Sequence, residues 1–208
     1  ISALTRSDRP LQGSAAVAKR VFDVTASVAG LILLAPLLCL IAIAIKLDSK
    51  GPVLFFQRRR GYNQYEFRIV KFRTMTTLDD GDIVRQARRN DPRITRVGAF
   101  LRRYNLDELP QLWNVLKGEM SIVGPRPHAV AHDREFERRI MRYPRRLNVK
   151  PGITGWAQVH GYRGETDTEE KLQRRVEYDL HYIDHWSIWL DLYIVALTLS
   201  RRAFTNAR

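Results

Sequence analysis

The sequence predicts an α+β fold, in which a mostly helical domain with a short β-hairpin carries one long apolar membrane helix and amphipathic helices. Three observations support this class. Near the start of the chain, 22 consecutive residues without a charge form the run Val24–Ile45. Two segments rich in aromatic and β-branched residues, Val53–Gln57 and Tyr65–Phe72, follow it. In the second half of the chain, apolar residues recur with helical spacing.

The uncharged run has two interpretations. As a straight helix it would be about 33 Å long, enough to cross a bilayer core of about 30 Å. Pro36, however, lies near its middle and lacks the N–H that would continue the hydrogen-bond ladder, so a bend or break is expected. Basic residues, which collect on cytoplasmic flanks, lie on both sides, so both ends are predicted on the same face. They are Lys19, Arg20, Lys46, Lys50 and Arg58–Arg60. From the residues alone, the spanning and re-entrant interpretations stay open.

The two aromatic segments predict a β-hairpin. The stretch between them, Arg58–Gln64, contains Gly61 and Asn63 and is predicted to be a long basic loop. A short helix is predicted over Val97–Arg103.

Two longer helices are predicted next. The first ends at Gly118, a typical C-terminal cap, and begins near Asn105 and Glu108, which have capping-box spacing. Its apolar face comprises Leu109, Leu112, Trp113 and Leu116. The second begins at the capping box formed by Thr166 and Glu169. Its apolar face comprises Leu172, Val176, Leu180 and Ile183.

The last apolar segment, Trp186–Leu199, is too short to span a bilayer, at about 21 Å as a helix. Its aromatic residues Trp186, Trp189 and Tyr193 suit a helix that lies in the headgroup region. An ordinary core helix fits the pattern equally well.

Composition restricts the partners. The formal net charge of +13 predicts an anionic partner, which could be nucleic acid, an anionic lipid surface or a phosphorylated substrate. The single cysteine, Cys39, excludes a disulfide framework within the chain. No nucleic-acid recognition motif is present and the aromatic residues do not interleave with a basic patch, so nucleic acid is not the expected partner.

An acidic pair is the clearest candidate for chemistry. Asp107 and Glu108 are adjacent at a predicted helix start, where the helix dipole alone favours acidic residues. The functional interpretation is that a carboxylate kept ionised there binds Mg²⁺ or attacks a phosphorus atom.

Basic residues lie in the neighbouring motifs and could hold phosphate groups. Arg126 stands between two prolines that restrict its backbone, and a planar guanidinium suits bidentate phosphate binding. The other candidates are Lys71, Arg73, Arg93, Arg96, Arg102 and Arg103. Together with the acidic pair they favour phosphoryl transfer, which relies on positioning and charge neutralisation.

Long motifs occur in a fixed order along almost the whole chain, from about Lys19. They are KRVFDV before the apolar run, GPVLFFQ, KFRTM, DPRITRVGAFLRR, LDELPQLWNVLKGEMSIVGPRP and VKPGITGWAQVHG. This series resembles the monotopic polyprenyl-phosphate phosphoglycosyl transferases, the bacterial sugar transferases of capsule and exopolysaccharide synthesis. PRPHAVAH and GITGWAQVHGYRGETDT are similar to the branch that transfers glucose-1-phosphate, although His160 stands where that branch has Asn.

The resemblance implies a catalytic mechanism. Asp107 would attack the β-phosphorus of a UDP-sugar, release UMP and hold the sugar-phosphate, which undecaprenyl phosphate would then accept. Mg²⁺ would bridge Asp107, Glu108 and the diphosphate, and Glu108 would place the metal or handle a proton. Arg102 and Arg126 match phosphate-contacting positions of the family.

The resemblance also implies an organisation. Residues 1–18 would be a flexible lead-in and residues 19–50 a re-entrant membrane helix broken at Ala35–Pro36. Residues 51–208 would form a catalytic domain on the cytoplasmic face of a bacterial inner membrane, in contact with membrane lipids and ending in an interfacial helix. Longer members carry an N-terminal membrane region, so the start at Ile1 suggests a trimmed domain or a naturally short version. A homodimer through the GITGWAQVHG segment is compatible with the family.

Three alternatives stay open. The same reaction with galactose or an N-acetylated sugar is a close one, because sugar choice depends on the shape of the pocket. A membrane-tethered nucleic-acid-binding protein and a scaffold for other polysaccharide enzymes belong to different classes.

Overall fold

The structure is a computed structural model that describes residues 13–77, 91–164 and 168–200. Its helices are α1 Ser14–Asp48, α2 Arg96–Arg103, α3 Gln111–Lys117, α4 Val130–Arg139, α5 Trp156–Val159, α6 Glu169–Asp184 and α7 Ile188–Leu199. Its strands are β1 Leu54–Arg60, β2 Glu66–Phe72, β3 Ser121–Val123 and β4 Gly152–Thr154. Strands β1 and β2 pair antiparallel, and β3 and β4 pair parallel. The predicted α+β class is confirmed.

Helix α1 is assigned without an interruption at Ala35–Pro36, where a break is expected. The helix continues from Ser14 to Asp48 with Pro36 inside it. A proline removes one backbone donor, but the hydrogen bonds of the neighbouring turns hold the helix together. The re-entrant path stays a prediction. The helix also includes residues 14–18 of the predicted lead-in, whereas residues 1–12 lie outside the described residues.

The N-terminal part of α1 is anchored by buried charges. The Lys19 ammonium donates to the Asp191 carboxylate of α7 at 2.6 Å and to the Val123 carbonyl of β3 at 3.0 Å. One turn later, the Asp23 carboxylate accepts a hydrogen bond from the Ser121 hydroxyl at 2.9 Å. This end of α1 is therefore fixed to the body of the domain, beside the strand that leads into the GPRP motif.

The C-terminal part of α1 is anchored by apolar packing. Ile41 and Ile45 are buried in a cluster with Phe72 of β2 and Leu101 of α2. The carboxylate of Asp48, the last residue of α1, accepts a hydrogen bond from a backbone amide at the start of α2. Both parts of α1 thus contact the same domain, although the helix exposes large apolar side chains to solvent along its length.

The predicted hairpin is confirmed with a shorter loop. Leu54 pairs with Phe72 at one end and Arg60 pairs with Glu66 at the other. The segment Arg58–Arg60, which is expected in the loop, extends β1 instead, because it still finds backbone partners on β2.

Helix boundaries follow the sequence at some ends and depart from it at others. Helix α2 forms as predicted, and α3 ends at Gly118, whose φ of 84° is accessible to glycine. The capping box at Asn105 and Glu108 is wrong. Asn105 has a left-handed backbone with φ 57° and makes no side-chain cap, and α3 begins only at Gln111.

The two C-terminal helices form most of the larger core. All four predicted apolar residues of α6 are buried there, together with Ile194 of α7. Thr168, whose hydroxyl accepts from the Lys171 amide, caps α6. The predicted cap Thr166 lies outside the described residues. On α7, Trp189 and Tyr193 are exposed while Asp191 and Ile194 are buried, so one face packs in the core and the other carries aromatic residues to the surface.

Candidate active site

The acidic pair lies on a short connection between α2 and α3. A single 3-10 turn, Leu106–Glu108, follows the left-handed Asn105 and directs the two carboxylates to different surroundings. Glu108 is buried and Asp107 is half-buried. Because this turn is so short, it supplies little of the helix dipole that the sequence suggested.

Glu108 is surrounded by cations from three separate elements. The Lys71 ammonium on β2 donates to its Oε1 at 3.0 Å, and the Arg163 guanidinium, just after α5, donates to its Oε2 at 2.7 Å. Arg126, just after β3, donates to both oxygens, through Nη1 to Oε2 at 3.0 Å and through Nη2 to Oε1. This bidentate pair fixes the guanidinium plane as well as its position.

These contacts keep Glu108 ionised. Burial alone would raise the pKa of its carboxyl, but the charges of Arg126, Lys71 and Arg163 outweigh burial and hold the pKa well below its usual range. A carboxylate of such low basicity is a poor proton acceptor at neutral pH. The geometry therefore supports a role for Glu108 in organising the basic residues.

Asp107 has the opposite surroundings. Within the described part of the chain, no side chain donates a hydrogen bond to its carboxylate. Burial and the neighbouring negative charge of Glu108 raise the pKa of Asp107, while Lys71 and Arg102 oppose the rise. The direction is contrary to the sequence-based expectation of a carboxylate kept ionised, because burial and the charge of Glu108 outweigh the nearby cations. The Asp107 oxygens remain free to meet a substrate.

The structure brings three of the predicted basic residues to the pair. Lys71 and Arg126 contact Glu108 directly, and Arg102 acts on Asp107 through its charge. Arg102 is partly exposed, and among the described residues its guanidinium donates to the sulfur of Met75, at 3.6 Å. Its position suits a phosphate group placed beside Asp107.

Two other predicted phosphate ligands have different partners. Arg73 is buried and donates to the carbonyl of Lys50 at 2.6 Å and to that of Ser49 at 2.7 Å, so it closes the connection after α1. Its role in phosphate binding stays a prediction, and in this structure Nη1 and Nη2 donate to the backbone and not to the acidic pair. Arg93 pairs with Asp91 at 2.7 Å, two residues away, and makes no described contact with the acidic pair.

Sequence reasoning missed Arg163. It lies 55 positions after Glu108, in a loop next to residues 165–167, which fall outside the described part of the chain. Its only sequence signal is its place at the end of the GITGWAQVHGYRG motif, and nothing local ties it to an acidic partner.

Comparison with known proteins decides the family. The profile of a family described as "Bacterial sugar transferase" matches residues 14–205, which is most of the chain. The chain belongs to the bacterial sugar transferase family. The motifs that form the site described above all lie inside the matched region.

Relatives in this family have related names. The UDP-glucose:undecaprenyl-phosphate glucose-1-phosphate transferase of Escherichia coli is 54% identical over 199 residues, covering 96% of this chain and 43% of the relative. The protein of the same name from Caulobacter vibrioides is 53% identical over 181 residues, covering 87% and 68%. The UDP-N-acetylgalactosamine-undecaprenyl-phosphate N-acetylgalactosaminephosphotransferase of Aeromonas hydrophila is 44% identical over 182 residues, covering 87% and 42%. The chain thus spans less than half the length of two of these relatives.

The donor set of this family member fits a Mg²⁺ ion that is shared with a substrate. Mg²⁺ is commonly held by one or two carboxylates plus substrate phosphates. Among the described residues, no side chain donates a hydrogen bond to the Asp107 carboxylate. Both oxygens of Glu108, in contrast, already accept from Lys71, Arg126 or Arg163. Among the described residues, no cluster of three or more metal-ligating side chains exists. Asp107 is therefore the better ligand, and a phosphate would have to complete the site.

Proposed function

We propose that this family member transfers a sugar-1-phosphate from a UDP-sugar to undecaprenyl phosphate and releases UMP. Glucose is the favoured sugar, because relatives at 53–54% identity carry that substrate in their names. The observation that carries the proposal is the contrast within the acidic pair. Glu108 holds three cations in place, and Asp107 presents an uncommitted carboxylate to the same space.

The proposed first step is attack on phosphorus by Asp107. One carboxylate oxygen bonds to the β-phosphorus, the bond from that phosphorus to the bridging oxygen breaks, and UMP leaves with this oxygen. The sugar-phosphate remains on Asp107 as an acyl phosphate. Arg102 and Arg126 neutralise the charge that develops on the phosphoryl oxygens, which is the main contribution a protein makes to such a transfer.

The proposed second step regenerates the carboxylate. A phosphate oxygen of the polyprenyl phosphate attacks the same phosphorus, and the bond to Asp107 breaks. This ping-pong scheme needs one substrate site used twice, in agreement with a single uncommitted carboxylate in the pair. When bound beside Asp107, Mg²⁺ would neutralise the diphosphate and polarise the bond that breaks.

The membrane association that the long apolar helix suggests is proposed to be monotopic, at the cytoplasmic face. Helix α1 is long and apolar enough to cross a bilayer, and 11% of its most apolar window is buried in the protein. Yet its two parts contact one domain, through Lys19 at one end and through Ile45 at the other. A helix that crossed a bilayer of about 30 Å would carry one of these ends away from that domain.

A UMP-release assay tests the proposal. The purified chain in a membrane mimetic should release UMP from UDP-glucose with Mg²⁺, continuously when undecaprenyl phosphate is present. A panel of UDP-galactose, UDP-N-acetylglucosamine and UDP-N-acetylgalactosamine then compares sugars. Faster turnover of another UDP-sugar would make that sugar the proposed substrate. A relative named for N-acetylgalactosamine makes this outcome reasonable to test. Absence of UMP release with every donor would refute it and leave the scaffold alternative.

A further inference from the structure

A second, fully buried set of charged and polar side chains lies behind the active site. Its central member, Arg146, is 3% exposed and sits in the 3-10 segment Tyr143–Asn148. Its other members are His128, Tyr143, Arg175 and Asp179. None of these residues contacts Glu108 or Asp107 directly, so the proposed chemistry gives them no role.

Arg146 connects this set to the backbone of the active-site loop. Its Nη2 donates to the Arg126 carbonyl at 2.9 Å, and its Nε donates to the Asp179 carboxylate at 2.7 Å. Pro125 and Pro127 flank Arg126 and restrict its backbone. A hydrogen bond at the Arg126 carbonyl then fixes the orientation of the peptide, and with it the direction in which the side chain leaves the backbone. The Asp179 carboxylate, supplied by α6, in turn fixes Arg146.

Arg175 reaches the second loop in the same way. Its Nη2 donates to the Gly164 carbonyl at 2.6 Å, directly after Arg163, which is one of the cations on Glu108. Its Nη1 donates to His128 Nε2 at 2.9 Å. The buried set therefore binds the main chain of both loops whose arginines converge on Glu108.

Both ring nitrogens of His128 contact neighbouring side chains of the buried set. Burial and the charges of Arg146 and Arg175 hold the pKa of His128 well below its usual range, so the ring is neutral. Arg175 Nη1 lies 2.9 Å from Nε2, and Arg146 Nη1 lies 3.2 Å from Nδ1. Nδ1 also contacts the Tyr143 hydroxyl, which donates to Asp133. This chain fixes the imidazole between the two arginines.

We infer that Arg146, together with Asp179, Arg175 and His128, forms a positioning layer that holds Arg126 and Arg163 on Glu108. Arg146 acts through the Arg126 main chain and touches no substrate, so it is a positioning residue for the transfer. The layer also contributes two guanidinium groups against one carboxylate, which adds positive potential beneath the site.

Two measurements test this inference. The first, UMP release, rests on the proposed function, and the second, hydrogen–deuterium exchange, does not. In the UMP-release assay, Arg146→Met should lower turnover by about tenfold, as should Arg126→Ala, and the double variant should be little worse than Arg126→Ala alone. Arg145→Met is the matched control. Arg145 is adjacent but pairs with Asp184 at a partly exposed site, and its loss should leave turnover near normal.

Hydrogen–deuterium exchange provides the independent readout. Arg146→Met should speed exchange of the Arg126 and His128 amides, which report on this loop because the prolines have none, and Arg145→Met should not. If Arg146→Met does not fold, Arg146→Lys serves, since a lysine keeps the charge opposite Asp179 but cannot also reach the Arg126 carbonyl. Losses that multiply in the double variant, or unchanged loop exchange in a folded variant, would overturn the inference. A wild-type chain that releases no UMP would refute the proposed function and leave the exchange test valid.

Discussion

Adjacent carboxylates acquire different properties here because their partners come from different elements. Glu108 is paired on both oxygens by Lys71, Arg126 and Arg163, so its negative charge is already compensated. Asp107, one residue before it, has a pKa raised by burial and by Glu108. A carboxylate with a raised pKa is more basic and more nucleophilic once ionised, which agrees with attack by Asp107 and structural organisation by Glu108.

A titration at the edge of the positioning layer gives a prediction for a single residue. Burial raises the pKa of Asp133 to about 6, although the hydrogen bond from Tyr143 and the charge of Arg146 oppose the rise. A carboxyl whose pKa is raised on folding favours the folded state below its unfolded pKa of about 3.9, and that advantage is lost as pH rises to about 6. The difference corresponds to roughly 3 kcal/mol of unfolding free energy.

Asp133→Asn should therefore gain stability relative to wild type as pH rises from 5 to 8. Urea unfolding of both proteins at the two pH values measures this change. Asp184→Asn, which alters a partly exposed pair with Arg145, serves as the control and should show no such trend. Parallel pH dependence of Asp133→Asn and wild type would show that Asp133 does not titrate in this range.

Single residues of the site were predictable where chemistry and local motif coincide. Asp107 with Glu108, and Arg126 between its prolines, are recognisable because an acidic pair and a restricted arginine suit phosphate chemistry. Arg73 and Arg163 show the limit of this reasoning. Both are arginines within motifs of the chain, but Arg73 binds the backbone after α1 and Arg163 binds Glu108, and only tertiary packing separates these outcomes.

Among the elements, α1 contacts the segments on both sides of the acidic pair. Its N-terminal part is tied to β3 through Lys19, and β3 leads directly into the loop of Arg126. Its C-terminal part packs on α2, which carries Arg102, through Ile41 and Ile45. The helix thus contacts the segments on both sides of the acidic pair. A change in its path should therefore shift the positions of Arg126 and Arg102.

The path of α1 can be tested by labelling. Single cysteines at Ser14 and Lys50, in a Cys39→Ser background, should react from the same side of intact inverted vesicles, because both ends contact one domain. Pro36→Ala should favour a straighter helix. It should reduce turnover, because the catalytic domain would be lifted away from its proper depth at the membrane surface. Labelling of the two positions from opposite sides would establish a spanning helix and exclude the monotopic proposal.

Elements were predictable where periodicity is strong and less so at their boundaries. The hairpin, α2 and the apolar face of α6 follow the sequence, since burial of one face determines their pattern. The start of α3 does not, because the chain forms a separate 3-10 turn at Leu106–Glu108 before the helix begins. Asn105 and Glu108 have the spacing of a capping box, but Asn105 makes no capping hydrogen bond in the structure. No local feature of the sequence predicts that the cap is missing.

At the scale of the whole molecule, part of the net charge of +13 is concentrated at and behind the candidate site. Part of the positive charge converges on Glu108, part lies in the layer behind it, and Lys19 is neutralised inside the domain by Asp191. An anionic donor and an anionic lipid acceptor would both be attracted to such a site. The phosphate groups of the proposed substrates are one anionic partner for this positive charge.

The proposed attachment of the sugar-phosphate to Asp107 can be measured from the mass of the intact chain. Incubation with UDP-glucose and Mg²⁺ without lipid acceptor should add one glucose-phosphate to the wild-type protein and release at most one UMP per chain. Peptide mapping should place the adduct on Asp107. Asp107→Asn should show neither adduct nor turnover, and Asp184→Asn should load normally. Normal UMP release by Asp107→Asn, or an adduct on another residue, would refute the proposed role of Asp107 as the nucleophile.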